Sequence, residues 1–213
     1  MEILKRRDYF RKTALPLFAF LFLHIYAMPY LRCGTGAIAG DDVKAAASAS
    51  VKETQADVSG WNSFGSHYFT VHYSSDVSLK KIDRQLRKRA FFFSHSSGDS
   101  VEEKIASRLD QLCERAKQIL DMRPNLPKIT IRIFSGRDEV VREYNKLFHI
   151  KQDMKSFYVN KYSTIYTSED DISDSVIVHE IGHAIIDNYF AAVPPPKVAE
   201  ILASFVDVHL DDE

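Results

Sequence analysis

Residues 175–187 read Ser-Val-Ile-Val-His-Glu-Ile-Gly-His-Ala-Ile-Ile-Asp. Two imidazoles four residues apart, with a carboxylate beside the first, form the pattern His179-Glu180-Ile181-Gly182-His183. On an α-helix, positions i and i+4 share a face one turn apart. Imidazoles in that relation can hold one zinc ion, each nitrogen about 2.0–2.1 Å from the metal. Glu180 is then placed to act on a zinc-bound water as a general base rather than as a ligand. The setting supports this. Val176, Ile177, Val178, Ile181, Ala184, Ile185 and Ile186 surround the polar triplet with apolar side chains. Ionisable groups in so apolar a helix are costly unless something pairs them, and a metal would pair the two histidines.

Two histidines underligate a catalytic zinc, which takes three protein ligands and leaves one position open. The downstream candidates are Asp187, Glu200, Asp207 and His209. Glu200 is the best placed, inside Lys-Val-Ala-Glu-Ile-Leu-Ala-Ser-Phe, where an apolar environment calls for a cation. Pro194-Pro195-Pro196 breaks the chain between the two segments, so that two helices can pack antiparallel and carry Glu200 to the metal. Asp207 and Asp187 are candidates to hold a ligand histidine from behind.

The elements that must position these groups follow from periodicity. An alternating strand is expected at His67–Tyr73, with His67 and His72 as surface or packing residues. Apolar residues at 101, 105, 109, 112, 116, 119 and 120 predict a helix over Val101–Leu120, and Ser100 with Glu103 resembles a capping box. Ile129–Phe134 predicts a strand and Arg137–Phe148 a helix. Short strands are expected at Ser156–Tyr158 and Thr164–Thr167, around a turn near Asn160–Ser163. Acidic residues at 171–174 cap the metal-motif helix, which ends near Phe190. A last helix runs from about Lys197 to Leu210.

The chain's 213 residues are 45% hydrophobic, enough for one domain with a real core. Lys+Arg 28 against Asp+Glu 29 leaves a net charge of −1, which gives no reason to expect a nucleic-acid partner. Lys5, Arg6, Arg7, Arg11 and Lys12 precede an apolar stretch from Ala14 to Leu31, and Ala37-Ile38-Ala39 supplies an A-x-A cleavage pattern. Residues 1–39 therefore read as a secretory signal peptide, or as an uncleaved anchor, and the mature protein as exported. Its place would be periplasmic or extracellular, or the outer face of the membrane. Residues 40–62 read as a flexible linker and 63–213 as the folded domain. Cleavage would leave Cys113 unpaired, as an inert core thiol. A basic run from Lys80 to Arg89 with Phe91-Phe92-Phe93 reads as a basic helix or loop with an aromatic tip packed on the body, or as a patch over 80–93 for a membrane or envelope surface.

With His-Glu-x-x-His and a glutamate on the next helix, the chain resembles the gluzincin metallopeptidases of the peptidase MA-like group over roughly His67–Leu210. The resemblance implies a zincin-like α+β fold: a small mixed sheet with an edge hairpin, packed on the His-Glu helix and followed by the glutamate helix. It also implies His179, His183 and Glu200 as zinc ligands, Glu180 as general base, and a peptide or protein as substrate. Metzincins would place glycine at 186 and histidine at 189, where this chain has Ile186 and Tyr189. Many gluzincins place an aspartate four residues after the glutamate, where this chain has Ser204. Larger members stabilise the oxyanion with a Tyr or His. Tyr158, Tyr162, Tyr166 and His209 are the candidates here for that role or for substrate contact. A peptide is expected to pair with the strand edge around Ser156–Thr167. The rival expectations are a non-catalytic, zinc-stabilised envelope binding domain, and a catalytic fragment completed by a partner subunit.

Overall fold

Five strands form a single mixed sheet in the computed structural model, which describes residues 60–86 and 99–212. The strands are β1 (Trp61–Gly65), β2 (Phe69–Ser74), β3 (Ile129–Phe134), β4 (Ser156–Val159) and β5 (Thr164–Ser168). Their spatial order is β1-β2-β3-β5-β4. β2, β3 and β5 run parallel, and β1 and β4 flank them antiparallel. The helices are α1 (Leu79–Gln85), α2 (Val101–Leu120), α3 (Arg137–Phe148), α4 (Asp174–Tyr189) and α5 (Pro196–Val208). The protein is therefore α+β with a mixed sheet. The signal segment, residues 40–59 of the expected linker, and residues 87–93 of the basic-aromatic run lie outside the described residues. No helix among the described residues is long and apolar enough to cross a membrane.

Period-2 alternation divides the sheet into two apolar faces. Ile129, Ile131 and Ile133 of β3, Phe69 and Val71 of β2 and Ile165 of β5 face α2 and α4 in the main core. Phe134, Phe157 and Tyr166 face the opposite way, against Val140 and Tyr144 of α3. α5 packs on α4 from the far side, adding Ala199, Ala203 and Val206 to the main core.

Local signals explain most boundaries. The Ser100–Glu103 capping box forms reciprocally at the start of α2, satisfying two backbone donors. Ser173 caps α4 by accepting from the Val176 N–H. The Pro195-Pro196 pair opens α5, since proline is tolerated where a helix N–H has no partner anyway.

Two expectations shift. β2 starts at Phe69, so His67 lies in the hairpin turn rather than on the strand. The cause is Asp110 of α2, whose carboxylate accepts from Ser66 Oγ at 2.8 Å and from the His67 and Tyr68 N–H groups at 2.9 and 3.0 Å. Those donors go to a side chain instead of a ladder. The other shift concerns Trp61 and Asn62, read from sequence as the end of a linker, which already pair with β2 as strand β1. Trp61 is anchored edge-on against Phe134 at 5.1 Å and lies under the Arg132 guanidinium at 4.7 Å.

Candidate metal centre

The helix carrying the His-Glu motif is almost wholly buried, which its sequence accounts for: every residue from Ile177 to Ile186 except His179 is apolar, small or enclosed. Its start is fixed by charge as well as by the Ser173 cap. Asp174 is buried and receives Arg108 of α2 at 2.8 Å, and Arg108 also donates to the Leu86 carbonyl at 2.9 Å. That bidentate pair leaves neither charge uncompensated.

Depth of packing then brings α5 to the motif. A Cβ on Gly182 would stand 3.2 Å from the Ala203 Cα and 3.4 Å from its Cβ. Glycine here is a matter of contact rather than dihedral freedom. Gly182 and Ala203 let the two helices approach closely, and Ala199 adds a second small residue on the same face of α5. Glu200, beside Ala199, is thereby carried over the two histidines.

The result is a triangle of ligand atoms. His179 Nε2 and His183 Nε2 are 3.3 Å apart. Glu200 Oε2 lies 3.6 Å from His179 Nε2, and its Oε1 lies 3.4 Å from His183 Nε2. Ligands about 2.0–2.1 Å from a tetrahedral ion stand about 3.3–3.4 Å from one another. The three edges therefore fit a zinc-sized ion, and the set of two imidazoles and one carboxylate is a normal zinc donor set. Among the described residues it is the only group of three or more His, Cys, Asp or Glu side chains spaced to hold a metal.

Electrostatics readies His183 and Glu200 for a metal and leaves His179 with a raised proton affinity that a metal must displace. Burial holds the His183 ring down to about 4, so it is neutral and offers a lone pair at ordinary pH. Burial also pushes His179 down, but the carboxylates of Glu200, Glu180 and Asp207 outweigh it and keep the ring above the usual histidine value. Burial raises Glu200, yet its contact with His179 and the charge of both rings leave it lower than usual and ionised.

Glu180 does not join the triangle. It points across to the sheet edge, where Ser156 Oγ of β4 donates to its Oε1 at 2.6 Å. Burial raises its pKa above the ordinary carboxylate range, against the pull of His179 and the Ser156 hydroxyl. A buried carboxylate raised in this way is a stronger base than an exposed one. Sequence reasoning missed Ser156. Nothing in the strand pattern marks it, and only the packing of α4 on β4 reveals its partner.

The remaining candidates separate. The charge of Asp207 is among those that raise the His179 ring, and its carboxylate accepts from Ser175 Oγ. That of Asp187 is not: no hydrogen bond or ion pair joins it to either histidine, and its charge falls instead on Tyr158. One turn beyond His183, its side chain has rotated from the histidines toward β4.

Of the three tyrosines, Tyr158 alone faces α4. Tyr166 stacks on Phe157 at 4.6 Å in the core under α3, on the opposite face of the sheet. Tyr162 is exposed on the short 3-10 turn Asn160–Tyr162. His209 caps α5, with its Nδ1 2.8 Å from the Phe205 carbonyl and its ring over Phe205 at 3.9 Å. Within Ser156–Thr167 only β4 lies at a sheet edge, because β5 is enclosed between β3 and β4. Cys113 is buried, and burial pushes its thiol up to about 12, which makes it inert.

No family model matches this chain, and a comparison with curated proteins finds no match.

Proposed function

We propose that the chain is an exported zinc metallopeptidase of the gluzincin type with a zincin-like fold. The observation that carries this reading is the triangle of His179, His183 and Glu200 at 3.3, 3.4 and 3.6 Å, with Glu180 held beside it and outside it. A purely structural zinc site fills all four positions with side chains, whereas three ligands with a neighbouring carboxylate suit a catalytic one.

His179, His183 and Glu200 would hold the ion. When bound, zinc supplies a Lewis acid and brings the pKa of water in its open position to about 7. The chain's own groups do the rest. Glu180 takes a proton from the attacking water on Oε2, while Ser156 Oγ fixes Oε1 and so the orientation of the carboxylate. Burial raises the proton affinity of Glu180, so the proton stays long enough to be passed to the departing amine. The exposed edge of β4 offers N–H and C=O groups to an extended peptide, and the strand carries Ser156 and Tyr158 toward α4.

The deciding experiment measures metal content by mass spectrometry and peptide hydrolysis on wild type and Glu180→Gln. The expected outcome is about one zinc per chain in both, with hydrolysis lost only in the variant. Hydrolysis that persists in Glu180→Gln removes the general-base assignment. Zinc without hydrolysis in the wild type favours a zinc-stabilised binding domain, and absence of zinc removes the metallopeptidase reading.

A further inference from the structure

Helix α5 is apolar on two sides. Ala199, Ala203 and Val206 face the main core. Val198, Ile201, Phe205 and Val208 recur at steps of three, four and three residues, which on a helix makes a second stripe along one face. That stripe lies in solvent. Its side chains are 42%, 59%, 44% and 70% exposed, Phe205 even with the His209 ring against it. Among the polar residues of α5, Glu200 turns to the histidines and Asp207 accepts from Ser175 Oγ, so Lys197 and Ser204 alone remain exposed. A helix face left to water normally carries charge, and a helix apolar all round is a covered one. Tyr189, Phe190 and Val193 add exposed apolar surface at the end of α4 and in the turn that leads into α5.

Spacing and charge both point to what covers this face. Steps of three, four and three read the same in both directions about the level of residue 203. A second copy of α5 laid antiparallel therefore matches the stripe to itself. Val198 of one copy meets Val208 of the other and Ile201 meets Phe205, each contact occurring twice, as a two-fold interface requires. The ends match as well. Lys197, at the N-terminal end, is exposed and forms no ion pair among the described residues, while Asp211 and Asp212, both exposed, follow the C-terminal end. Antiparallel packing sets each Lys197 toward the acidic end of the other copy and opposes the helix dipoles, whereas parallel packing sets like ends together. The area is sufficient. The seven side chains expose about 300–600 Å² of apolar surface per copy, against about 800 Å² per partner in a stable interface, of which about two-thirds is apolar in homodimers. A membrane surface fits less well, because helices that lie on one are rich in Lys and Arg and α5 has Lys197 alone.

We infer that the chain forms a two-fold homodimer through the outer face of α5, with the two α5 helices antiparallel. The dimer needs neither metal nor hydrolysis, so it stands or falls apart from the peptidase reading.

The test is sedimentation equilibrium of the full chain across the micromolar range, where a monomer–dimer equilibrium is expected. Ile201→Glu puts a charge into the apolar stripe twice per dimer and should weaken association at least about a hundredfold. Circular dichroism of that variant should match wild type, because the replaced side chain is exposed. Lys197→Glu alone and Asp212→Lys alone should each weaken association about tenfold, and the double variant should recover most of the loss. A monomer at every concentration overturns the dimer. So does a dimer that survives Ile201→Glu, which would place association elsewhere in the chain. A double variant no tighter than either single variant overturns the antiparallel arrangement. A monomer that binds neutral phospholipid vesicles, and loses them on Ile201→Glu, assigns the face to a membrane instead.

Discussion

Helices α2 and α4 pack against one another, and both carry ionisable groups into the core, yet they dispose of them in opposite ways. On α2 the charged groups meet their complements. Arg108 grips Asp174, Lys117 lies over the Tyr68 ring at 3.8 Å with Glu114 beside it, and Asp110 collects three donors from the β1–β2 turn. On α4, His179 and His183 point at each other and at Glu200, so three lone-pair donors converge on one point. Complementary pairing builds architecture. Three ligand atoms taken from water and aimed at one point carry a desolvation cost, and the arrangement makes sense if a metal cation enters between them.

The comparison breaks first at the metal. His183→Ala should abolish zinc binding, and the wild type should lose thermal stability on chelation while the variant does not. At free zinc about a thousandfold above Kd, the stabilisation removed is about 4 kcal/mol. A wild type indifferent to chelation would make α4 architectural, like α2.

The next largest effect belongs to α2. Arg108→Met removes the guanidinium that meets buried Asp174, and should cost about 3–5 kcal/mol in urea unfolding. Zinc bound per folded chain should stay unchanged, because Arg108 touches none of the ligands. If zinc binding falls in step, the two helices do not have separate roles.

Acidification sharpens the contrast. The folded pKa of His183 is depressed to about 4, so between about 6.5 and 4 the unfolded chain binds a proton that the folded chain does not. That contribution to stability is complete above about 6.5 and is lost as pH falls toward 4. Zinc affinity falls as pH drops through the raised pKa of His179, because a protonated ring has no lone pair to give, whereas His183 keeps its lone pair down to about pH 4. His179 opposes part of this in the metal-free protein: its raised pKa adds stability below the ordinary histidine value that is lost as pH rises through the folded one. The metal-free protein should therefore lose on the order of 2 kcal/mol between pH 7 and pH 4.5 beyond what His183→Gln loses, read from denaturant midpoints.

The smallest effect probes the approach of α5. Gly182→Val adds branched carbons where a Cβ alone would stand only 3.2 Å from the Ala203 Cα, and should cost about 1–3 kcal/mol. Zinc affinity should fall as well, because Glu200 moves with α5. A weakened fold with undiminished zinc affinity would show that Glu200 is not a ligand.

Much of the fold was legible where patterns were strong. The α2 and α3 helices, the β3 strand and the capping box at Ser100 follow from apolar period and end signals, which act within a few residues. β1 was not legible. Its residues Trp-Asn-Ser-Phe-Gly sit at a sheet edge with most side chains toward solvent, so no alternation marks it. α1 stayed open between helix and loop for another reason: seven residues with one buried side chain, Ile82, give too little period to decide.

The sequence by itself determined that His179 and His183 share a helix face with Glu180 between them, because the helical repeat makes i and i+4 neighbours whatever surrounds them. It also singled out Glu200, because a carboxylate in an apolar helix needs a counter-charge. Tertiary structure alone decided that Glu200 reaches the histidines, through the close contact of Gly182 with Ala203. It alone turned Tyr166 away from the site and brought Ser156 to Glu180. These are contacts between elements far apart in the chain. Their geometry depends on how whole faces pack, which no local spacing records.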